Sequence, residues 1–113
     1  MEKDLLESLL SELHRGTLIL CVLSQLGESR YGYALVQILD EKGITIDANT
    51  LYPLLRRLEK QELLYSEWDT SEAKPRKYYK RTAYGDQIFM ELVEQWKIMS
   101  TGISNLLGGK ENE

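Results

Sequence analysis

Apolar residues recur at helical spacing in several stretches of the chain, and the pattern is sharpest between residues 47 and 64. The residues that fall on one side of a helix there are Leu51, Leu54, Leu55 and Leu58. Polar and basic residues fall largely on the other side. The pattern therefore predicts a short helix whose apolar back packs on a core. Its polar front fits either an ordinary surface helix or a helix that enters a DNA major groove with its N-terminal end first.

The same periodicity predicts four more helices, over residues 2–13, 17–26, 31–42 and 83–107. The stretch at 17–26, TLILCVLSQL, is almost wholly apolar. We therefore expect it to be buried at the centre of the core and to end at Gly27. The next helix should end at Gly43, with Glu28 or Ser29 capping its start.

The start of the helix near residue 47 depends on Pro53. Asp47 or Asn49 can cap the first turn, because each offers a short side-chain oxygen to an unpaired backbone N–H. If Asp47 is the cap, Pro53 lies two turns inside the helix, where it lacks an N–H and presses on the carbonyl of Asn49. We therefore expect the helix to start later, near Asn49. The connector before it has room for a short strand at 44–46.

Two short runs of alternating aromatic and polar residues, 63–68 and 77–82, flank the turn-forming segment DTSEAKPR. They predict a β-hairpin. Two helices joined by a short turn and followed by a hairpin form a winged helix-turn-helix. We predict a mainly α fold with a small β-hairpin: a winged helix-turn-helix domain with its N-terminal helix at 1–82, a C-terminal dimerisation helix at 83–108, and a frayed tail at 109–113.

Charge is distributed unevenly along the 113 residues. The net charge is −4, which argues against nucleic-acid binding by the whole surface. One segment of eight residues nevertheless contains five bases and no acid: Lys74, Arg76, Lys77, Lys80 and Arg81. Such a run is often only a solvated loop. On a hairpin that follows a polar-faced helix, it indicates a restricted surface for phosphate or minor-groove contact.

Several classes of protein are disfavoured. The single His and single Cys are far apart, no glycine-rich phosphate loop is present, and the acids are scattered, so we expect neither an enzyme nor a cofactor or metal site. No apolar run is long enough to span a membrane. The acidic N-terminus lacks the basic region of a signal peptide. One cysteine, Cys21, fits a reducing compartment, so the expected location is the cytoplasm.

The chain resembles the PadR family of bacterial transcription regulators. The residues that carry the resemblance are RGTLILCVLS at 15–24, YGYALVQIL at 31–39, TLYPLLRRLEKQELL at 50–64 and KYYKRTAYG at 77–85. The resemblance implies a winged-helix domain that binds operator DNA, usually as a repressor that a small molecule releases. With its single C-terminal helix, the chain resembles the small PadR subfamily. In that subfamily, the C-terminal and N-terminal helices build the dimer interface. The wing loop DTSEAKPR departs from the family's often glycine-rich loop.

The pattern and the resemblance together give a set of residues expected to contact DNA, and one alternative function stays open. The expected DNA contacts are Tyr33, Asn49, Thr50, Tyr52, Arg57, Lys74, Arg76 and Lys77. Arg56 and Arg57 are adjacent, so they cannot both face the groove. One of them should lie beside the core, paired with Glu59 or with an acid of the N-terminal helix. A homodimer would read a palindromic operator. The alternative is a winged-helix adaptor that binds a protein and no specific DNA sequence.

The C-terminal helix carries a heptad seam. Its residues step by three and four: Phe89, Leu92, Trp96, Met99, Ile103 and Leu106. With Leu6 and Leu10 of the first helix, they are the predicted homodimer interface. In multidrug-responsive PadR proteins a tryptophan on this helix lines an apolar pore between subunits. The resemblance therefore implies that Trp96, with Met99 and Ile103, binds a small planar effector; alternatively, Trp96 only fills the interface.

Overall fold

The computed structural model describes residues 3–109. Within them lie α1 (Lys3–Arg15), α2 (Leu18–Ser24), β1 (Arg30–Tyr31), α3 (Gly32–Glu41), α4 (Ala48–Lys60), β2 (Leu64–Asp69), β3 (Arg76–Arg81) and α5 (Ala83–Leu106). The predicted mainly helical fold with a small hairpin is confirmed. The predicted frayed tail lies, except for Gly109, outside the described residues.

The core lies between α2, α3, α4 and the start of the hairpin. The predicted apolar back of α4 is buried, with Leu51, Leu55 and Leu58 fully enclosed. Val22 and Leu23 of α2 are equally inaccessible. The apolar run of α2 therefore occupies the centre of the domain, as its composition predicts.

The recognition-type helix α4 starts earlier than expected. It begins at Ala48, and the Asp47 carboxylate caps it by accepting a hydrogen bond from the Thr50 N–H at 2.9 Å. The prediction of a start at Asn49 is therefore wrong, and Pro53 does lie inside the helix. Proline removes the donor for the Asn49 carbonyl. Both residues are exposed, so solvent can replace the lost bond.

The third strand is not where the sequence indicated. The antiparallel sheet has the order β1-β3-β2, and β1 pairs Tyr31 with Tyr78. Residues 44–46 form no strand, because the N–H of Ile44 bonds to the Leu39 carbonyl at 2.8 Å and closes the end of α3. Gly43, with φ of 91°, ends α3 as predicted.

Because β1 runs directly into α3, Glu28 and Ser29 do not cap that helix. Its N-cap is Tyr31, in an extended conformation and without a side-chain cap.

The first turn of helix α5 packs closely against the backbone at Leu63. The Thr82 hydroxyl caps it by accepting a hydrogen bond from the Gly85 N–H at 2.8 Å. Gly85 lies against the Leu63 carbonyl, where a Cβ would overlap the oxygen. The helix is 24 residues long in total. Its far half, like all of α1, has no buried residue.

Candidate nucleic-acid interface

The exposed front of α4 carries the residues predicted to read DNA. Asn49, Thr50 and Arg57 are exposed, and Tyr52 is at the limit of exposure. The Tyr52 ring lies against Gly32, where any side chain would overlap it. Glycine at the start of α3 therefore lets a tyrosine pack between the two helices with its edge still open to solvent.

Arg56 was not among the predicted contacts, yet it is exposed and lies closer to the middle of the polar front than Arg57. On a helix, Arg56 follows Tyr52 by four residues and Asn49 by seven, so all three share one stripe. Arg57 instead lies with Thr50 toward α2. The expectation that one arginine pairs with Glu59 beside the core is wrong, because Glu59 pairs elsewhere. The spacing of Asn49, Tyr52 and Arg56 by three and four residues indicates this shared face from the sequence.

The bases of the hairpin separate into exposed and packed residues. Lys74 lies in the exposed loop between β2 and β3. The Arg76 guanidinium stacks 4.6 Å from the Tyr31 ring centroid and stays exposed. Near this end, the side chain and N–H of Ser71 bond to the Asp69 carboxylate and lower its pKa. The Asp69 carboxylate, at the end of β2, thereby closes a turn at the start of the loop.

Lys77 and Arg81 are directed inward. The Lys77 ammonium lies 3.6 Å from a Glu59 carboxylate oxygen, so a phosphate at Lys77 would compete with this ion pair. Arg81 donates to the Leu23 carbonyl, and its Nε bonds to the Asp86 carboxylate at 2.7 Å. It also covers the Phe89 ring. Arg81 thus joins β3 to α2 and α5 and is not part of a basic surface.

A cleft of about 320 Å³ separates the α4 front from the hairpin. Its lining consists of Tyr31, Gly32, Tyr52, Arg56, Trp68, Pro75, Arg76, Lys77 and Tyr79. Aromatic rings with two arginines at the opening form a surface suited to a phosphodiester backbone. Tyr33, at the start of α3, is 58% exposed but is not part of this cleft.

The arrangement matches known regulators. The model of the transcriptional regulator PadR-like family matches residues 19–91, more than half of the chain. The chain belongs to this family. Its members regulate transcription, which confirms that the protein is not an enzyme.

Similar proteins cover nearly the whole chain. A PadR family transcriptional regulator from Eggerthella lenta is 52% identical with a TM-score of 0.86, over 95% of this chain and 96% of that one. A PadR-like transcriptional regulator from Bacillus cereus is 33% identical with a TM-score of 0.79, over 88% and 100%. An uncharacterized protein of Lysinibacillus sphaericus is 33% identical over 106 residues, 89% of this chain and 97% of that protein. The two solved structures support the winged-helix assignment.

The predicted dimer seam of this PadR-like chain has two parts. Phe89 and Leu92 pack partly on the chain's own core. The remaining seam residues are exposed: Trp96, Met99, Ile103 and Leu106. Leu6 and Leu10 of α1 are also exposed. Trp96 and Met99 line an apolar groove of about 420 Å³ beside Ile19 and Leu20 of α2, whereas Ile103 lies outside it.

Two further observations bear on function. Within residues 3–109, no group of three His, Cys, Asp or Glu side chains is placed to hold a metal ion. None of the helices in that range is long and apolar enough to cross a membrane.

Proposed function

We propose that this PadR-like regulator is a repressor that binds a palindromic operator as a homodimer. The supporting observation is that Tyr52 and Arg56 of the α4 front and the exposed Arg76 of β3 line one cleft. The exposed Lys74 lies in the wing loop just before Arg76. In winged-helix docking, a recognition helix enters the major groove. The wing can then reach the adjacent minor groove, with the intervening backbone over the cleft. Such a protein acts where the chromosome is, in the cytoplasm.

The proposed contacts follow from exposure. The set is Tyr33, Asn49, Thr50, Tyr52, Arg56, Arg57, Lys74 and Arg76. Lys77 is left out because Glu59 holds its charge. Asn49 offers an amide suited to adenine, and the arginines offer forks suited to guanine or phosphate.

The homodimer is supported by apolar surface that the chain itself leaves uncovered. Leu6 and Leu10 of α1 and Met99 and Ile103 of α5 are all more than 40% exposed. Exposed apolar helix faces of this kind suit a two-fold interface, in which two copies cover each other. Two recognition helices would then meet half-sites roughly 34–36 Å apart.

An effector completes the proposal. The groove beside Trp96 and Met99 has a volume of about 420 Å³ and a mostly apolar lining. Ligand pockets are commonly about 300–1,000 Å³. A flat apolar compound stacked on Trp96 would compete with helix packing at the dimer interface. In a Trp68→Phe background, planar aromatic compounds should quench Trp96 fluorescence, whereas an unaltered signal would favour Trp96 as interface packing alone.

The deciding experiment is selection of genomic fragments by the purified protein, followed by titration of an enriched fragment and a scrambled one. We expect an enriched palindrome with specific binding well above the scrambled control, and a linear fall of log K with log salt. Equal binding of both fragments at moderate salt would reject the repressor and favour the winged-helix adaptor.

A further inference from the structure

A single carboxylate links α4 to both strands of the hairpin. Glu59 lies in the last turn of α4, and its Oε2 accepts a hydrogen bond from the Ser66 hydroxyl of β2 at 2.6 Å. Its Oε1 lies 3.6 Å from the Lys77 ammonium of β3. Among the described residues, these are the side-chain hydrogen bond and ion pair that connect α4 with the hairpin. Glu59 therefore contacts both strands of the wing at once.

The two hairpin partners share the inner face of the sheet. Ser66 pairs with Tyr79, and Trp68 pairs with Lys77, so all four lie on one side. The buried Tyr79 shows that this side faces the domain. Glu59 meets the hairpin beyond the apolar contacts of Leu64, where the strands begin to leave the core. The link is thus placed where it can limit bending of the wing.

Lys77 is more enclosed than three other bases of the basic run, Lys74, Arg76 and Lys80, which are all exposed. Its ammonium lies 5.4 Å from the Tyr79 ring centroid and 5.9 Å from that of Trp68. Its side chain is 31% exposed, and that of Glu59 is 34% exposed. Lys77 also lines the cleft, so a DNA phosphate there would have to compete with the Glu59 carboxylate for its ammonium.

We propose that Glu59 and Lys77 are positioning residues, which hold the wing at the angle needed for α4 and the wing to contact one duplex together. The inference rests on the proposed DNA binding and adds a role that does not involve direct contact. A preset angle lowers the ordering cost of binding. Loosening it weakens binding even though every contacting side chain remains.

The first test uses the sign of a charge effect. Glu59→Gln removes an acid near DNA and frees Lys77, so simple electrostatics predicts tighter binding. A positioning role predicts weaker operator binding, by about threefold to tenfold, the size of a lost ion pair. The matched control is Glu67→Gln, an exposed acid on β2 that forms no ion pair within residues 3–109, and this variant should not weaken binding. Tighter operator binding by Glu59→Gln would overturn the proposal.

A double variant and the salt dependence provide the second test. Glu59→Gln with Lys77→Met should bind operator about as well as either single variant, because both remove the same link. Lys77→Met should keep the wild-type slope of log K against log salt, whereas Lys74→Met should flatten it by about 0.9 for a lost phosphate contact. Additive losses, or a flattened slope for Lys77→Met, would identify Lys77 as a phosphate contact and reject its positioning role.

A measurement without DNA separates this proposal from the proposed function. In a Trp96→Phe background, Trp68 is the remaining tryptophan, and it is 64% exposed beside Lys77. Adding Glu59→Gln should lower its fluorescence anisotropy as the wing becomes mobile, while Glu67→Gln should not. Circular dichroism verifies that each variant is folded. Unchanged anisotropy in a folded Glu59→Gln protein would reject the pair even if operator binding is established, and a decrease supports it even if no operator is found.

Discussion

Leucines in the winged-helix unit and leucines in the outer helices have opposite surroundings. Leu55 of α4 is completely buried, whereas Leu13 of α1 is 69% exposed and Leu106 of α5 is 87% exposed. Both regions have helical apolar periodicity. The periodicity therefore predicts that one face of each helix is buried, but it does not show which surface buries it. In the first region the same chain provides that cover, while in the second we propose that another copy does.

The largest expected difference between the regions is in stability. Leu55→Ala should lower the free energy of unfolding by about 2–5 kcal/mol, because it leaves a cavity among packed side chains. Leu13→Ala is the matched control from α1. In dilute, monomeric protein its effect should stay within about 0.5 kcal/mol, because only another copy would cover this leucine. Urea denaturation at one protein concentration measures both. Equal losses would mean that α1 is as well packed as the core.

Gly85 marks the point where the two regions join. Gly85→Ala places a methyl group against the Leu63 carbonyl and should destabilise the protein by about 1–3 kcal/mol through overpacking. Gly102→Ala is the control, since open space surrounds that position on the same helix. Thermal unfolding compares them, and a Gly85→Ala protein as stable as the wild type would show that α5 can shift freely.

Charge in the outer region should affect assembly and leave the domain folded. Ile103→Asp places a carboxylate on the exposed face of α5 and should weaken the proposed dimer by at least about tenfold, or about 1.4 kcal/mol. Glu94→Asp leaves the charge of the same helix unchanged and serves as the control. Sedimentation at several concentrations gives the dissociation constant, while circular dichroism follows the fold. A dimer of wild-type strength would exclude this face from the interface.

The smallest effect should come from the exposed edge of the packed region. Asp47→Ala removes the cap of α4 and should cost about 1 kcal/mol. Asp47→Asn retains an acceptor and should restore most of the loss. Chemical denaturation of the two variants tests the cap. No loss for alanine would mean that α4 starts elsewhere and would support the later start suggested by Pro53.

Much of the candidate site could be predicted because its residues are local in sequence. The polar front of α4 follows from one helical period, and the position of Lys74 follows from turn-forming neighbours. Alternation along β3 also indicates which of its bases face inward. Lys77 and Arg81 have the same parity as the buried Tyr79, so both should face the domain.

The remaining features were decided by contacts between distant residues. The two-residue strand β1 exists because it pairs with Tyr78 and Tyr79, more than forty positions away. Arg81 bonds to the Leu23 carbonyl across 58 positions. Neither partner is visible from local composition.

The sequence by itself therefore determined the helices, the hairpin, the family and the exposed recognition face, since each depends on period or on a contiguous motif. The tertiary structure decided which partners within the chain the bases of the hairpin have. Five bases have similar local surroundings in the sequence, yet Glu59 holds Lys77, and Arg81 is occupied by Leu23 and Asp86. The physical reason is that a cation binds the acceptor that the fold brings within a few ångströms, and sequence distance does not report that proximity.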